Sequence, residues 1–233
     1  MNAYKRFSYY YDEVVERLDY RKWFNFIIPY LHYNDKVLDL ACGTGTLCMM
    51  LKLKEFDVSG LDLSEEIIEI AKEKAKINHL NIPYHIGDMT NFNLNEKFKM
   101  ITCFFESINF LKTKEDVAKL FECVYNHLED GGYFICDIFS QALFDQYKNN
   151  VLDEDYDFFK IKWITKTRDE RTLLHDIMIT ENDNYYHEYY YEYLYPIEDL
   201  HHDGLKLVHK CGDFNEDLED EDERILLVFK KES

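Results

Sequence analysis

Through the first half of the chain, short apolar runs alternate with longer stretches of helical spacing; after about residue 150 the apolar positions recur at every second residue. Val37–Leu40, Val58–Leu61, Tyr84–Ile86, Met100–Phe104 and Tyr133–Cys136 read as five short buried strands. A helix is expected from Thr46 to about Lys54. A second is capped by Ser64, carries Glu65 and Glu66 in its first turn, and buries Ile67, Ile68, Ala71 and Ala75. Val117, Leu120, Phe121, Val124 and Leu128 form a third helical stripe that Gly131 and Gly132 stop. Strands separated by helices of this length make parallel βαβ units, and hence an α/β, doubly wound sheet.

The second half reads differently. Phe158–Lys166, Leu173–Thr180 and Tyr185–Tyr195 alternate without intervening helices, and Asn182-Asp183-Asn184 is a turn signal between the last two. A short helix over Ile197–His202 and two strands, Leu205–Lys210 and Arg224–Lys230, complete the chain. The expected organisation is an N-terminal helical lid (1–34), a core built from 35–150 and 196–233, and an antiparallel β insertion (151–195).

Composition narrows the function classes. The 233 residues carry a formal net charge of −19, a field that repels phosphate backbones and argues against a nucleic-acid partner. The longest apolar runs, such as Ile225–Phe229, are far shorter than a membrane span, and no apolar segment of signal-peptide type follows residues 1–6. Six cysteines without CxxC spacing read as reduced, buried thiols of a cytoplasmic protein, with no metal site implied. The 19 tyrosines and 17 phenylalanines read first as coding bias and name no substrate.

The chemistry concentrates in Val37-Leu-Asp-Leu-Ala-Cys-Gly-Thr-Gly45, a glycine-rich turn between a buried strand and a helix. Gly43 and Gly45 allow backbone conformations and close approaches that a side chain would block, so a nucleotide-like cofactor is the expected occupant. Asp62, ending the second strand 19 residues beyond Gly43, can take both ribose hydroxyls, and Asp88, after the third strand, can accept from an adenine amino group. A dinucleotide fingerprint wants a small third residue near position 48, where this chain has Cys48. An acid after the third strand suits S-adenosylmethionine better than NAD.

Residues 37–137 resemble the class I S-adenosylmethionine-dependent methyltransferases, most of all small bacterial members carrying "DLACGTG". Phe7-Ser-Tyr-Tyr-Tyr-Asp12 is similar to that family's aromatic lid, and the resemblance continues to Gly212-Asp-Phe214 and the final strand. It implies a Rossmann-like seven-stranded sheet of order 3-2-1-4-5-7-6 with the last strand antiparallel. It also implies that Asp39 orients the turn and meets the methionine ammonium. Ala41, Gly43 and Gly45 would offer backbone, Asp62 would hold the ribose, and Leu63 would pack on adenine. Asp88 would read the adenine amine with Met89 beside it, and Phe105 would contribute backbone near the ammonium group. Ala41 replaces a family glycine, Lys99 a common acid, and Glu106-Ser-Ile-Asn-Phe110 replaces a histidine-bearing segment of sugar-amine members.

Methyl transfer from a sulfonium needs alignment and exclusion of water, and an amine acceptor must be neutral. No histidine stands out as a base: His85 falls inside a strand and His201-His202 in a polar turn. The catalytic candidates are Tyr10 and Tyr11 from the lid and Ser107, Asn109 and Asp137 above the strand ends, Asp137 being equally readable as a capping carboxylate; Glu106 is a candidate pocket residue beside them. Trp163, Tyr190 and Glu192 of the insertion are candidates to face the cleft, either as ordinary sheet packing or as an aromatic box for a cation. The acid run Glu216–Glu223 reads as a solvated loop. The expectation is N-methylation of a small amine by a monomer or homodimer. A protein or tRNA methyltransferase, or a cofactor-binding protein without transfer activity, stays open.

Overall fold

The structure is a computed structural model describing residues 6–14 and 18–232; residues 1–5 and 15–17 of the expected lid lie outside them. A 3-10 turn at Phe7–Tyr9 leads into α1 (Tyr11–Val14), α2 (Arg21–Ile27) and a second 3-10 turn at Ile28–Tyr30. Then come β1 (Lys36–Leu40), α3 (Thr46–Lys52), β2 (Asp57–Asp62), α4 (Glu65–Ile77), β3 (Tyr84–Ile86) and β4 (Phe98–Cys103). After a 3-10 turn at Ser107–Phe110 follow α5 (Lys114–His127), β5 (Leu128–Phe139) and α6 (Gln141–Tyr147). The chain continues through β6 (Val151–Asp155), β7 (Lys160–Thr167), β8 (Thr172–Glu181) and β9 (Asn184–Tyr193), and ends with β10 (Leu205–Gly212) and β11 (Arg224–Lys231).

Seven strands form one sheet in the order β10-β11-β5-β4-β1-β2-β3, and β11 pairs antiparallel with both neighbours. This is the expected order. The strands read as unbroken apolar runs because both faces are covered. Val37, Met100, Ile135 and Val228 pack towards α2, α3 and α4, while Leu38, Ile101, Phe134 and Leu227 pack towards α5. Local chemistry sets the helix starts: the Ser64 hydroxyl accepts from the Ile67 amide, and Thr113 caps α5 in the same way.

Two expectations are corrected. The glycine pair does not stop α5, which ends at His127; β5 begins at Leu128 and Gly131 (φ +71°) lies within it, beside the register irregularity between Phe98 and Met100. The insertion has four strands, not three, in the order β6-β7-β8-β9. The extra strand, β6, is an edge whose residues are mostly exposed, so it carries no apolar alternation.

The second sheet covers the C-terminal edge of the first. Its inner face packs Ile161, Ile177, Ile179 and Tyr190 against Phe7 and Tyr10 of the N-terminal segment, with Tyr10 stacked on Phe159 at 4.0 Å. Asn109, fully buried, stitches the sheets together: its amide donates to Tyr193 O (2.8 Å) and its carbonyl accepts from the Phe139 amide (3.2 Å). Asn109→Ala leaves a buried carbonyl and a buried N–H unpaired. We expect it to lower the unfolding free energy by about 3 kcal/mol in chemical denaturation; a change within experimental error would refute this role.

Candidate functional site

The chain leaves β1 through Ala41, Gly43 and Gly45, all in the left-handed region (φ 51°, 54° and 77°). A Cβ on Gly45 would lie 2.2 Å from the Tyr84 hydroxyl, so only glycine fits there. A Cβ on Gly43 would meet nothing within 4 Å, so the turn faces open space. Asp62 ties the turn to β2: Gly43 N donates to one carboxylate oxygen (3.0 Å) and Ser64 N to the other (2.9 Å). Each oxygen keeps acceptor capacity for a vicinal diol. Burial pushes the Asp62 carboxyl up despite these bonds.

Asp88 is exposed, and one of its oxygens is held by the Thr90 amide and hydroxyl (2.8 and 2.7 Å). Leu63 is 62% exposed, an apolar side chain at the rim, and Met89 leans on the core with its sulfur 3.9 Å from Cys103 Sγ. Because β3, β2, β1 and β4 are neighbours, Asp88, Asp62, the turn and Phe105 follow one another along a single sheet edge. An open backbone cradle, a carboxylate with spare acceptor capacity and an apolar rim fit a nucleoside. Asp39 takes a different place: it is 3% exposed, bonded to the Thr102 hydroxyl (2.6 Å) and 3.5 Å from Cys48 Sγ. It braces the turn from below, and burial raises its carboxyl to about 6.

The N-terminal segment closes over this edge. Asp12 accepts from the Thr44 hydroxyl and from Lys74 Nζ, each at 2.7 Å, and Lys74 also donates to Thr44 and Thr46. Tyr20 lies half-buried beneath, with its ring 4.7 Å from Phe105; burial and the charges of Asp12 and Asp39 push its hydroxyl up.

Beyond β4 the backbone makes two successive left-handed residues, Phe105 (φ 58°) and Glu106 (φ 55°). Asp137 holds this turn. One oxygen accepts from the Glu106 amide (2.8 Å), the other from Trp23 Nε1 (2.6 Å) and Arg224 Nη1 (2.9 Å). Arg224 also pairs with the Glu106 carboxylate and lies 4.8 Å over the Trp23 ring. Burial, with help from the charges of Asp137 and Glu192, raises the Glu106 carboxyl against the pull of Arg224.

The catalytic candidates separate accordingly. Asp137 and Asn109 are fully buried with their polar atoms bonded inside the protein, so they brace the site and do not reach an acceptor. The Ser107 hydroxyl donates to Phe104 O (2.7 Å). Tyr10 packs within the second sheet, with its hydroxyl 3.2 Å from Arg6, and Tyr11 opens α1 beside the turn-closing Asp12. Trp163, Tyr190 and Glu192 do share the inner face of the second sheet, together with a residue that sequence reasoning missed. His175 stacks on Tyr190 at 4.7 Å, and its Nε2 lies 2.9 Å from Glu192 Oε2. Its signal was parity: in β8 it shares the inward face with Leu173, Ile177 and Ile179. Arg224, Trp23 and Lys74 were also missed. Among the described residues, no cluster of His, Cys, Asp and Glu could hold a metal ion, and no helix is long and apolar enough to cross a membrane.

A family profile described as a methyltransferase domain matches residues 37–132. The solved structure of an S-adenosylmethionine-dependent methyltransferase from Clostridium acetobutylicum ATCC 824 is 31% identical, covers 100% of both chains and superposes with a TM-score of 0.86. The protein YqeM of Bacillus subtilis (strain 168) is 29% identical over 225 residues, 91% of this chain and 90% of its own. A local likeness links 42% of this chain to 40% of the dTDP-3-amino-3,4,6-trideoxy-alpha-D-glucopyranose N,N-dimethyltransferase of Streptomyces venezuelae, at 34% identity.

Two measurements test this geometry. Asp62→Ala should weaken calorimetric binding of S-adenosylmethionine and S-adenosylhomocysteine by roughly a hundredfold, since it removes charge-assisted hydrogen bonds; unchanged affinity would take Asp62 out of the site. Asp39 titrates near 6 when folded and from 3.8 when unfolded, so the folded state holds its proton more tightly. Its contribution to stability therefore falls as pH rises from about 4 to about 6, by roughly 2–3 kcal/mol. Asp39→Asn should flatten that part of the stability profile, and an identical slope in the variant would count against it.

Proposed function

This chain belongs to the class I S-adenosylmethionine-dependent methyltransferases, and from that premise we propose that it methylates a nitrogen of a small molecule. The observation that carries this reading is Glu106, a part-buried carboxylate at the end of β4 whose proton affinity is raised, at the edge that carries the glycine turn. A group that gains and loses a proton near neutrality suits an amine, which must be neutral to attack. The likeness to the aminosugar N,N-dimethyltransferase points the same way.

S-adenosylmethionine supplies a methyl group already activated by the positive sulfur. Asp62 would hold its ribose hydroxyls and Asp88 its adenine amine, with Leu63 and Met89 on the base. The backbone of Ala41, Gly43, Gly45 and Phe105 would line its methionine part. Glu106 faces the acceptor nitrogen and takes its proton. The second sheet, with Phe7 and Tyr10 packed into it, walls the acceptor from water. A small acceptor suits a site enclosed between two sheets and a net charge that disfavours nucleic acid.

A screen of amines, phenols and carboxylates with labelled methyl donor should place the label on nitrogen. Glu106→Gln should lower kcat/KM by about 10²–10⁴-fold while the affinity for S-adenosylhomocysteine changes little. Label found only on phenols or carboxylates would overturn the proposal.

A further inference from the structure

Where the two sheets meet, carboxyl groups outnumber the permanent cations. Glu106, just beyond β4, and Asp137 of β5 share one guanidinium, that of Arg224 at the start of β11, and Glu192 of β9 lies near enough for its charge to act on Glu106. Asp137 has no exposed side-chain surface, Glu192 has 10% and Glu106 21%. The charges of Glu106 and Glu192 both act on Tyr147 of α6, whose hydroxyl they push up together with burial. The edge of the Tyr147 ring meets the His175 imidazole at 6.4 Å. The Asn109 bond to Tyr193 O anchors β9 next to Glu192 over the 3-10 turn that follows Glu106. The carboxylates therefore belong to one junction supplied by core and insertion.

A second observation comes from His175. Its Nδ1 accepts from Trp163 Nε1 at 3.0 Å, and an indole nitrogen can only donate. The neutral ring therefore carries its proton on Nε2. That nitrogen is buried, lies 2.9 Å from Glu192 Oε2, and has no aligned hydrogen bond. A buried N–H left in this state is costly unless a ligand draws the carboxylate into line. Around it stand Trp163, Tyr190 and Tyr147, aromatic rings of the kind that surround bound cations.

We infer that the acceptor arrives at this junction as a free ammonium ion, seated between Glu106 and Glu192, and that it carries no phosphate. The inference rests on the N-methylation reading and names the substrate class. An excess of buried negative charge is stabilised by a cation; with no amine present, a proton on Glu106 serves. The arriving ammonium displaces that proton to solvent. Before transfer, one N–H bond of the ammonium breaks, its electron pair stays on nitrogen, and the proton passes to a Glu106 carboxylate oxygen. His175, aligned by Trp163, is a positioning residue that steers Glu192. A nucleoside-diphosphate acceptor would bring at least two negative charges to the same place and be repelled. This chain then differs in acceptor from the dTDP-linked aminosugar enzyme it partly resembles.

The test is calorimetry on the whole 233-residue chain without cofactor. Putrescine, spermidine and glucosamine are titrated beside N-acetylglucosamine and UDP-glucosamine, in two buffers of different ionisation enthalpy. At least one free amine should bind with net proton release. Its affinity should fall tenfold or more in Glu192→Gln, and N-acetylglucosamine and UDP-glucosamine should not bind. Thermal unfolding of Glu192→Gln checks that it folds; if it does not, His175→Gln is read for weaker amine binding with unchanged S-adenosylhomocysteine affinity. Binding of UDP-glucosamine in preference to free amines, or of no amine in the panel, overturns the inference. Labelled-methyl transfer in parallel separates the two readings. Label on the UDP-glucosamine nitrogen leaves N-methylation standing and removes the free-ammonium acceptor, whereas label on oxygen alone removes both.

Discussion

Everything around the end of β4 hangs on Asp137. A fully buried carboxylate must be neutralised and fully bonded or it destabilises the fold. This one satisfies itself by drawing donors from three separate places: the indole of α2, the backbone after β4 and the guanidinium that opens β11. Those bonds hold Phe105 and Glu106 in a left-handed conformation that neither residue adopts readily alone. Through Trp23 the same carboxylate seats the N-terminal segment, and through Arg224 it fixes where the last strand begins. The knot serves geometry more than stability, since such buried pairs contribute little net energy.

The cofactor half of the molecule was legible because its signals are local. A strand buried on both faces is an unbroken apolar run, and a turn that needs left-handed residues announces itself in glycines a few positions apart. Asp62 and Asp88 follow from counting strand ends. Asp39 was found for the right neighbourhood, yet its depth was not, because depth depends on Thr102, 63 residues away. The β6 edge escaped notice for the reason that edge strands generally do: solvent on its flanks removes the alternation. The glycines of β5 looked like a helix stop because the same residue type serves a bulge.

The junction between the two sheets was only partly legible, and the reason is combinatorial. Trp23, Glu106, Tyr147, His175, Glu192 and Arg224 come from six segments with no common spacing, and each alone has an ordinary structural explanation. Glu106 and Glu192 stood out as acids near strand ends, whereas Arg224, a lone arginine opening an apolar strand, and His175, a lone histidine on the inward face of another, did not. Both become informative only once the second sheet is known to fold back over the first.

The N-terminal segment touches both halves at once. Asp12 grips the glycine turn through Thr44 and Lys74, while Phe7 and Tyr10, a few residues earlier, are embedded in the inserted sheet. A segment so short cannot release one grip without loosening the other. A change at one end is therefore felt at the other: whatever loosens Phe7 and Tyr10 in the inserted sheet also loosens Asp12 on the glycine turn.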